Sequence, residues 1–334
     1  MFSSFPLLSL PHIPLDLILR SMDLKELIQM ASISPVLKKY LPLLRISSGG
    51  YSVHLGTFNS RIELPTHSWA RPTRHSIGPS DSMEQALDYW FDLERLFTGK
   101  VQYMNICPSL VWYDIYGSTD ILAIGRPKEE YKNWESELFD EVPEAGLNYL
   151  LDNVEIRRGL ALDGPIELRT QHEKVFNLDW LKISHSEWIT LDILQKMRNK
   201  VILLEDIALS PENINDFIRD LKNGKSNQDL QVITMICGWT DEEKWTILGG
   251  LDFIRNQDEQ LYRFNGETTY ISEFLETGSS QGIEIYDCMD FWRVVGVRCS
   301  LVFGHYSLTV YVWNQRSQKR AIDDDGPDAK RNRV

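Results

Sequence analysis

Residues 175–237 read VFNLDWLKISHSEWITLDILQKMRNKVILLEDIALSPENINDFIRDLKNGKSNQDLQVITMIC, and this stretch decides the fold class. Three apolar runs of strand length, Phe176–Ile183, Val201–Leu204 and Leu230–Ile236, alternate with two helical patterns, Leu191–Met197 and Pro211–Leu221. In the second helix Ser210 stands at the N-cap and Pro211 at the first helical position. Ile214, Phe217, Ile218 and Leu221 share one face, and Asn223-Gly224 ends the pattern. A strand followed by a helix about every 25 residues is the spacing of leucine-rich solenoids, in which parallel strands line one face and helices the other. The full leucine-rich signature is not met, so the segment is read as leucine-rich-repeat-like within an α/β (α+β) fold.

Working outward, Val294–Phe303 and Tyr306–Trp313 are two β-rich runs joined by Gly304-His305, a link suited to a hairpin with glycine first. On the N-terminal side Ser47-Ser48-Gly49-Gly50 reads as a break. Tyr51–Leu55, Arg61–Leu64 and Val101–Ile106 read as strands, and Thr66–Ser80, rich in Pro, Ser, Thr and Arg, as a loop. Asp81 with Glu84 opens a helix whose Met83, Leu87, Trp90 and Phe97 line one face and which Gly99 ends. Lys128 to Phe139 reads as a loop or short helix. From Gln315 the chain is polar and highly charged, the composition of a disordered tail. Lys319-Arg320 and Lys330-Arg331-Asn332-Arg333 fit either a two-part nuclear import signal or a solvated end.

Residues 5–41, FPLLSLPHIPLDLILRSMDLKELIQMASISPVLKKYL, carry three short helical patterns. Leu15, Ile18, Leu19 and Met22 follow Pro14 at helical spacing. Leu24, Leu27, Ile28 and Ala31 follow Asp23, which with Glu26 forms a capping-box-like start. Ser34-Pro35 opens the third, and Pro42 predicts its early end. A unit of fewer than about 40 residues cannot hide that many apolar side chains without help. Its surplus surface is covered by a partner chain or by the rest of this one. A secretory signal does not fit, because no basic segment precedes Phe5 and Asp16 interrupts the apolar run.

Phe5-Pro6-Leu7-Leu8-Ser9-Leu10-Pro11, Leu15, Ile18-Leu19, Met22-Asp23, Leu27-Ile28 and Ser34 together resemble an F-box, with Tyr40 near the place of the aromatic residue that often closes the third helix. Asn215-Asp216-Phe217-Ile218, Leu221, Asn223-Gly224 and Leu230 resemble the core of the type-2 F-box-associated domain, typical of a large nematode family of F-box proteins. That family closes on a hairpin ending in a Val-Trp pair like Val312-Trp313, and Asp287–Gly296 resembles an altered form of its Asp-Gly turn. The resemblance implies an F-box at 1–45, an F-box-associated α/β domain at 51–314 (repeat-like at about 175–237, hairpin at about 294–313) and a charged tail at 315–334. It further implies a substrate-recognition subunit of a Skp-cullin-F-box (SCF) ubiquitin ligase that binds a Skp-type adaptor and, through it, cullin and RING subunits. Adaptor contacts then fall on Phe5, Pro6, Leu7, Leu10, Pro11, Leu15, Ile18, Leu19, Leu27, Ile28 and Val36, some of which instead form the small module's own core. The competing reading is a protein-binding scaffold whose F-box is degenerate.

Composition narrows the alternatives. The net charge is −13, and residues 46–314 hold 24 basic and 41 acidic side chains, a balance that disfavours nucleic acid as a partner. No apolar run is long enough to span a bilayer, so no membrane association is expected. Cys107, Cys237, Cys288 and Cys299 are scattered, without a Cys-x-x-Cys pair, and no Asn-x-Ser/Thr acceptor occurs. These features favour the cytoplasm or nucleus. No phosphate-binding glycine loop or His-Glu-x-x-His is present, and no catalytic residue, metal or cofactor is expected. His172-Glu173 and His185 with Glu187 are pairs that can do acid–base work but arise easily by chance. Glu205-Asp206 follows a strand, where a ligand site or a partner contact can form. Of the tryptophans recurring along the body (Trp112, Trp134, Trp180, Trp188, Trp239 and Trp245), Trp188 and Trp239 are the ones assigned to an unknown substrate protein.

Overall fold

The computed structural model describes residues 11–22, 24–47, 49–55, 60–64, 75–80, 87, 90–91, 94–97, 99–107, 115, 117–125, 144–163, 172–262 and 283–313. The expectations for Phe5, Pro6, Leu7, Leu10, Asp23, Met83, residues 128–139 and the tail from Gln315 lie outside them. The chain is mixed α/β and divides into two compact units, one of 1–135 with 153–155 and one of 136–152 with 156–334.

The first unit opens with α1 (His12–Ser21), α2 (Leu24–Ile33) and α3 (Pro35–Leu44). Ser34 caps α3 by accepting from the Leu37 N–H at 3.4 Å. Pro14 sits in the first turn of α1, where its missing donor costs nothing. Pro42 does not shorten α3 as expected. The helix runs on to Leu44 because only its last turn follows the proline, and it closes with Arg45 in the left-handed region at φ 49°. The Arg20 guanidinium donates to the Leu44 carbonyl at 2.7 Å, and His12 stacks on Tyr40 with ring centroids 6.1 Å apart, so α1 and α3 hold one another.

Five strands follow: β1 (Gly49–Leu55), β2 (Ser60–Leu64), β3 (His75–Ser80), β4 (Gly99–Ile106) and β5 (Gly117–Gly125). Their order is β3-β2-β1-β4-β5, antiparallel at the β3 side and parallel from β1 to β5. The segment expected as a loop to Ser80 contains β3. Its polar, proline-bearing residues form a strand because β2 offers an open edge, with Ile62 opposite Ile77. Leu87, Trp90, Phe91 and residues 94–96 are helical, and Trp90 is wholly buried. Gly117 holds φ 137°, and a Cβ there would come within 2.9 Å of the Trp90 ring, so only glycine fits.

The second unit runs α4 (Glu144–Asn153), β6 (Val154–Asp163), α5 (Glu173–Asn177), β7 (Trp180–Ile183), α6 (Leu191–Lys196), β8 (Val201–Glu205), α7 (Pro211–Lys222) and β9 (Val232–Ile236). The four strands are parallel and in step: Gly159 pairs with Trp180, Trp180 with Val201 and Val201 with Val232. Their near-continuous burial is that of a parallel sheet covered on both faces. The first expected strand, Phe176–Ile183, is in fact a helical turn followed by a strand. His172 caps α5 by accepting from the Lys174 N–H at 3.3 Å, and buried Val175 anchors the turn. Asn199, fully buried, donates to the Val175 and Leu178 carbonyls at 3.0 and 2.7 Å and ties that turn to the start of β8.

α7 matches its sequence signals. Ser210 accepts from the Asn213 N–H at 3.3 Å, and Ile214, Phe217, Ile218 and Leu221 are fully buried. After β9 comes α8 (Asp241–Leu248), opened by a reciprocal capping box between Thr240 and Glu243. The Thr240 backbone N–H bonded to Glu243 holds that carboxyl below the usual carboxylate range. The sheet then continues antiparallel from β9 through β15 (Ser307–Val312), β14 (Arg298–Phe303) and β13 (Cys288–Trp292) to β10 (Ile254–Asn256). β11 (Gln260–Tyr262) and β12 (Ile283–Ile285) form a separate pair. The hairpin of β14 and β15 is present, closed by Gly304 N–H donating to the Ser307 carbonyl at 2.7 Å. Val294 and Val295, expected at the start of its first strand, instead lie 74% exposed in the turn from β13 to β14, where Gly296 holds φ 80°.

Candidate functional site

The parallel register brings the carboxyl ends of β6 to β9 to one edge of the second unit. Open α/β sheets bind ligands at such an edge. Asp163 ends β6 and accepts from the buried Lys182 ammonium and from the Ser184 hydroxyl, both at 2.8 Å. Beyond β7, His185 Nδ1 lies 3.4 Å from an Asp206 carboxylate oxygen beyond β8. Ser186, between His185 and Glu187, is fully buried. Its backbone N–H and hydroxyl both donate to the Glu205 carbonyl, at 3.0 and 2.6 Å. The loop after β7 is thereby clamped to the end of β8, and Asp206 turns away in the left-handed region at φ 55°.

The two pairs singled out separately in the sequence, His185 with Glu187 and Glu205-Asp206, thus meet. The remaining pair, His172-Glu173, serves structure: besides capping α5, His172 Nε2 lies 3.2 Å from Asp152. Cys237 follows β9, its N–H donating to the Tyr306 carbonyl at 2.8 Å. Burial, then the nearby Glu243 and Asp206 carboxylates, push its thiol up, which disfavours the nucleophilic thiolate. Burial likewise pushes the Cys299 thiol up to about 12. None of the four cysteines forms a disulfide.

Trp188 and Trp239 flank this edge, both half-buried, each with its indole N–H buried and without an acceptor among the described residues. Among the described residues the indoles most open to solvent are elsewhere, at Trp245 on α8 (69% exposed) and Trp292 on β13 (45%). Sequence reading had no way to orient α8, whose buried residues are confined to Ile247 and Leu248 at its end.

In the helical segment the structure sorts the described residues assigned to an adaptor. Leu15, Leu19, Leu27 and Ile28 are buried within the first unit, whereas Pro11, Ile18 and Val36 face solvent, Val36 at 62%. Ile13, Leu17, Ile33 and Leu43, not assigned from the sequence, are also exposed and apolar. Among the described residues no helix is long and apolar enough to cross a membrane.

The motif at Asn215 has a geometric reason. Its buried amide donates to the Ile247 and Gly249 carbonyls at 2.6 and 2.9 Å, closing the end of α8. Arg219 holds the amide oxygen at 2.6 Å and donates to Gly249 at 2.8 Å. The aromatic residue of the motif, Phe217, fills the space under α7. Comparison with curated proteins and with solved structures finds no match. A family model described as F-box associated matches residues 170–235, the segment that holds α5 to β9 and the cluster of His185, Glu187 and Asp206, and this supports the resemblance read at Asn215 to Leu230.

Proposed function

We propose that the protein is the substrate-recognition subunit of an SCF-type ubiquitin ligase. The observation that carries this reading is the F-box associated match at 170–235, downstream of three short helices. In this reading residues 1–45 are the F-box and residues 51–314 the associated domain, leucine-rich-repeat-like at its centre, with 315–334 a charged tail. Exposed Ile13, Leu17, Ile18 and Val36 supply apolar surface for the adaptor. The carboxyl edge of β6 to β9, with Trp188 and Trp239, receives the target protein. The chain has no catalytic role of its own. It acts by holding target and ligase core together, so that transfer becomes effectively intramolecular. Cysteines outside any disulfide agree with action in the cytoplasm or nucleus.

A scaffold with a degenerate F-box is the second reading; the buried Leu15, Leu19, Leu27 and Ile28 serve as core in either. Co-purification of the full chain with a panel of Skp-type adaptors separates the two. Ile18→Asp/Val36→Asp places charges at positions already open to water, so the free chain should keep its circular dichroism and melting profile. Burying either charge against an adaptor costs about 3 kcal/mol, which is a loss of about 100-fold in affinity. A wild-type complex lost in the folded double variant supports the ligase subunit. No complex with any adaptor, or one indifferent to the substitutions, leaves the scaffold.

A further inference from the structure

We propose that His185, Glu187 and Asp206 form a binding site for a divalent cation of the zinc class. Their ligand atoms, one imidazole nitrogen and two carboxylate oxygens, all lie within 4.8 Å of one another. Zinc holds nitrogen at about 2.0–2.1 Å and carboxylate oxygen at about 2.0–2.2 Å, so at the tetrahedral angle two such ligands stand about 3.4 Å apart. His185 Nδ1 and the nearer Asp206 oxygen are separated by 3.4 Å. Glu187, the third ligand, is an exposed side chain.

The backbone beneath the three groups is fixed. Ser186, fully buried between two of the ligands, donates both its N–H and its hydroxyl to the carbonyl of Glu205, the residue before the third. The parallel pairing of Ile183 with Leu204 keeps the two strand ends level. Ligand separation is therefore set by the sheet register rather than by a mobile loop, as a metal site needs. One imidazole with two carboxylates favours zinc, nickel or manganese over calcium, which takes oxygen alone, and over soft thiolate-bound ions. Three protein ligands leave a fourth position to water or to a donor on a bound molecule. The site stands independently of the ligase reading.

The test is made on the full chain after treatment with a chelator. Zn²⁺ is titrated in competition with a chromophoric chelator, and Co²⁺ is followed by its visible absorption. Wild type should bind one tight equivalent and melt at higher temperature in its presence. His185→Ala and Asp206→Asn should each weaken that equivalent at least tenfold and abolish the thermal shift; asparagine tolerates the left-handed backbone at 206. Ser186→Ala should weaken binding by less, since it loosens the clamp and keeps the ligands. If one variant is misfolded by circular dichroism, the other decides. Binding unchanged in a folded variant places the ion elsewhere and overturns the site, as does a wild type that binds no Zn²⁺ up to millimolar concentration.

Discussion

Asp290→Ala should destabilise the second unit by about 3–5 kcal/mol, because it strands a partly buried guanidinium and several donors at once. Asp290 lies on β13 at 4% exposure. One carboxylate oxygen takes Arg298 at 2.6 Å and Asn256 at 3.3 Å. The other takes the Ser300 hydroxyl and the Cys288 thiol. Ser300 in turn accepts the Trp313 indole N–H at 2.7 Å, and the Arg298 guanidinium stacks over the Trp313 ring at 4.9 Å. The closing tryptophan is therefore fixed through Asp290 from both sides. Loss of the carboxylate should loosen β13, β14 and β15 together, read as faster amide exchange along those strands and a lower urea midpoint. Arg298→Met in the Asp290→Ala background should recover part of the loss, since the uncompensated charge then goes too. A single Asp290→Ala variant within about 0.5 kcal/mol of wild type would show the network to be ornamental.

Elements whose signals are local are legible in the sequence, and those held by distant partners are not. α7 was legible because every signal for it is local: the Ser210 cap, Pro211, the apolar face and the Gly224 stop lie within one stretch. β8 was legible because a short, wholly apolar run has few other uses. β3 was not, since its strand character comes from pairing with β2. α5 was missed because its cap is a histidine, a residue that carries no capping expectation. Val294 and Val295 have strand propensity, but Gly296, the Val294 N–H bond to Lys222 and the bonds of neighbouring Arg293 to residues 65 to 72 positions away hold them in a turn.

The candidate site was legible only in halves. His185 with Glu187 and Glu205-Asp206 were each visible as polar pairs, but what joins them is the register of β7 against β8. No spacing rule records that register, because the helix and loops between the strands are free to vary in length. The choice of Trp188 and Trp239 rested on residue type and on nearness to the repeat-like region. The structure gives both a half-buried ring, and it gives the exposure to Trp245, on a face the local pattern does not define.

The second large effect is expected at Arg293, which shows why the matched segment at 170–235 needs chain beyond it. Arg293 stands at the turn after β13, 5% exposed, and its guanidinium donates to four backbone carbonyls. Nε takes Leu221 at 3.1 Å, and the two terminal nitrogens take Gln228 at 3.1 Å, Ser226 at 3.3 Å and Asn227 at 3.0 Å. The next residue, Val294, donates its N–H to the Lys222 carbonyl at 2.9 Å. One side chain thus caps the carbonyl end of α7, where the helix dipole favours a cation, and folds the following loop around itself. Arg293→Met keeps most of the volume and removes every donor. With bonds to a charged group worth about 1.5–3 kcal/mol each and partly shared, the loss should be about 4 kcal/mol. Arg293→Lys keeps the charge but cannot reach four carbonyls from one ammonium, so it should recover only part of it. Hydrogen exchange should show the damage first at residues 221–232 and in β9, which leans on the same loop, and only later in α4 and β6. Equal loosening throughout the unit would mean that Arg293 supports general packing rather than the end of α7. If Arg293→Lys matched wild type, charge alone would suffice and the fork of four bonds would be incidental.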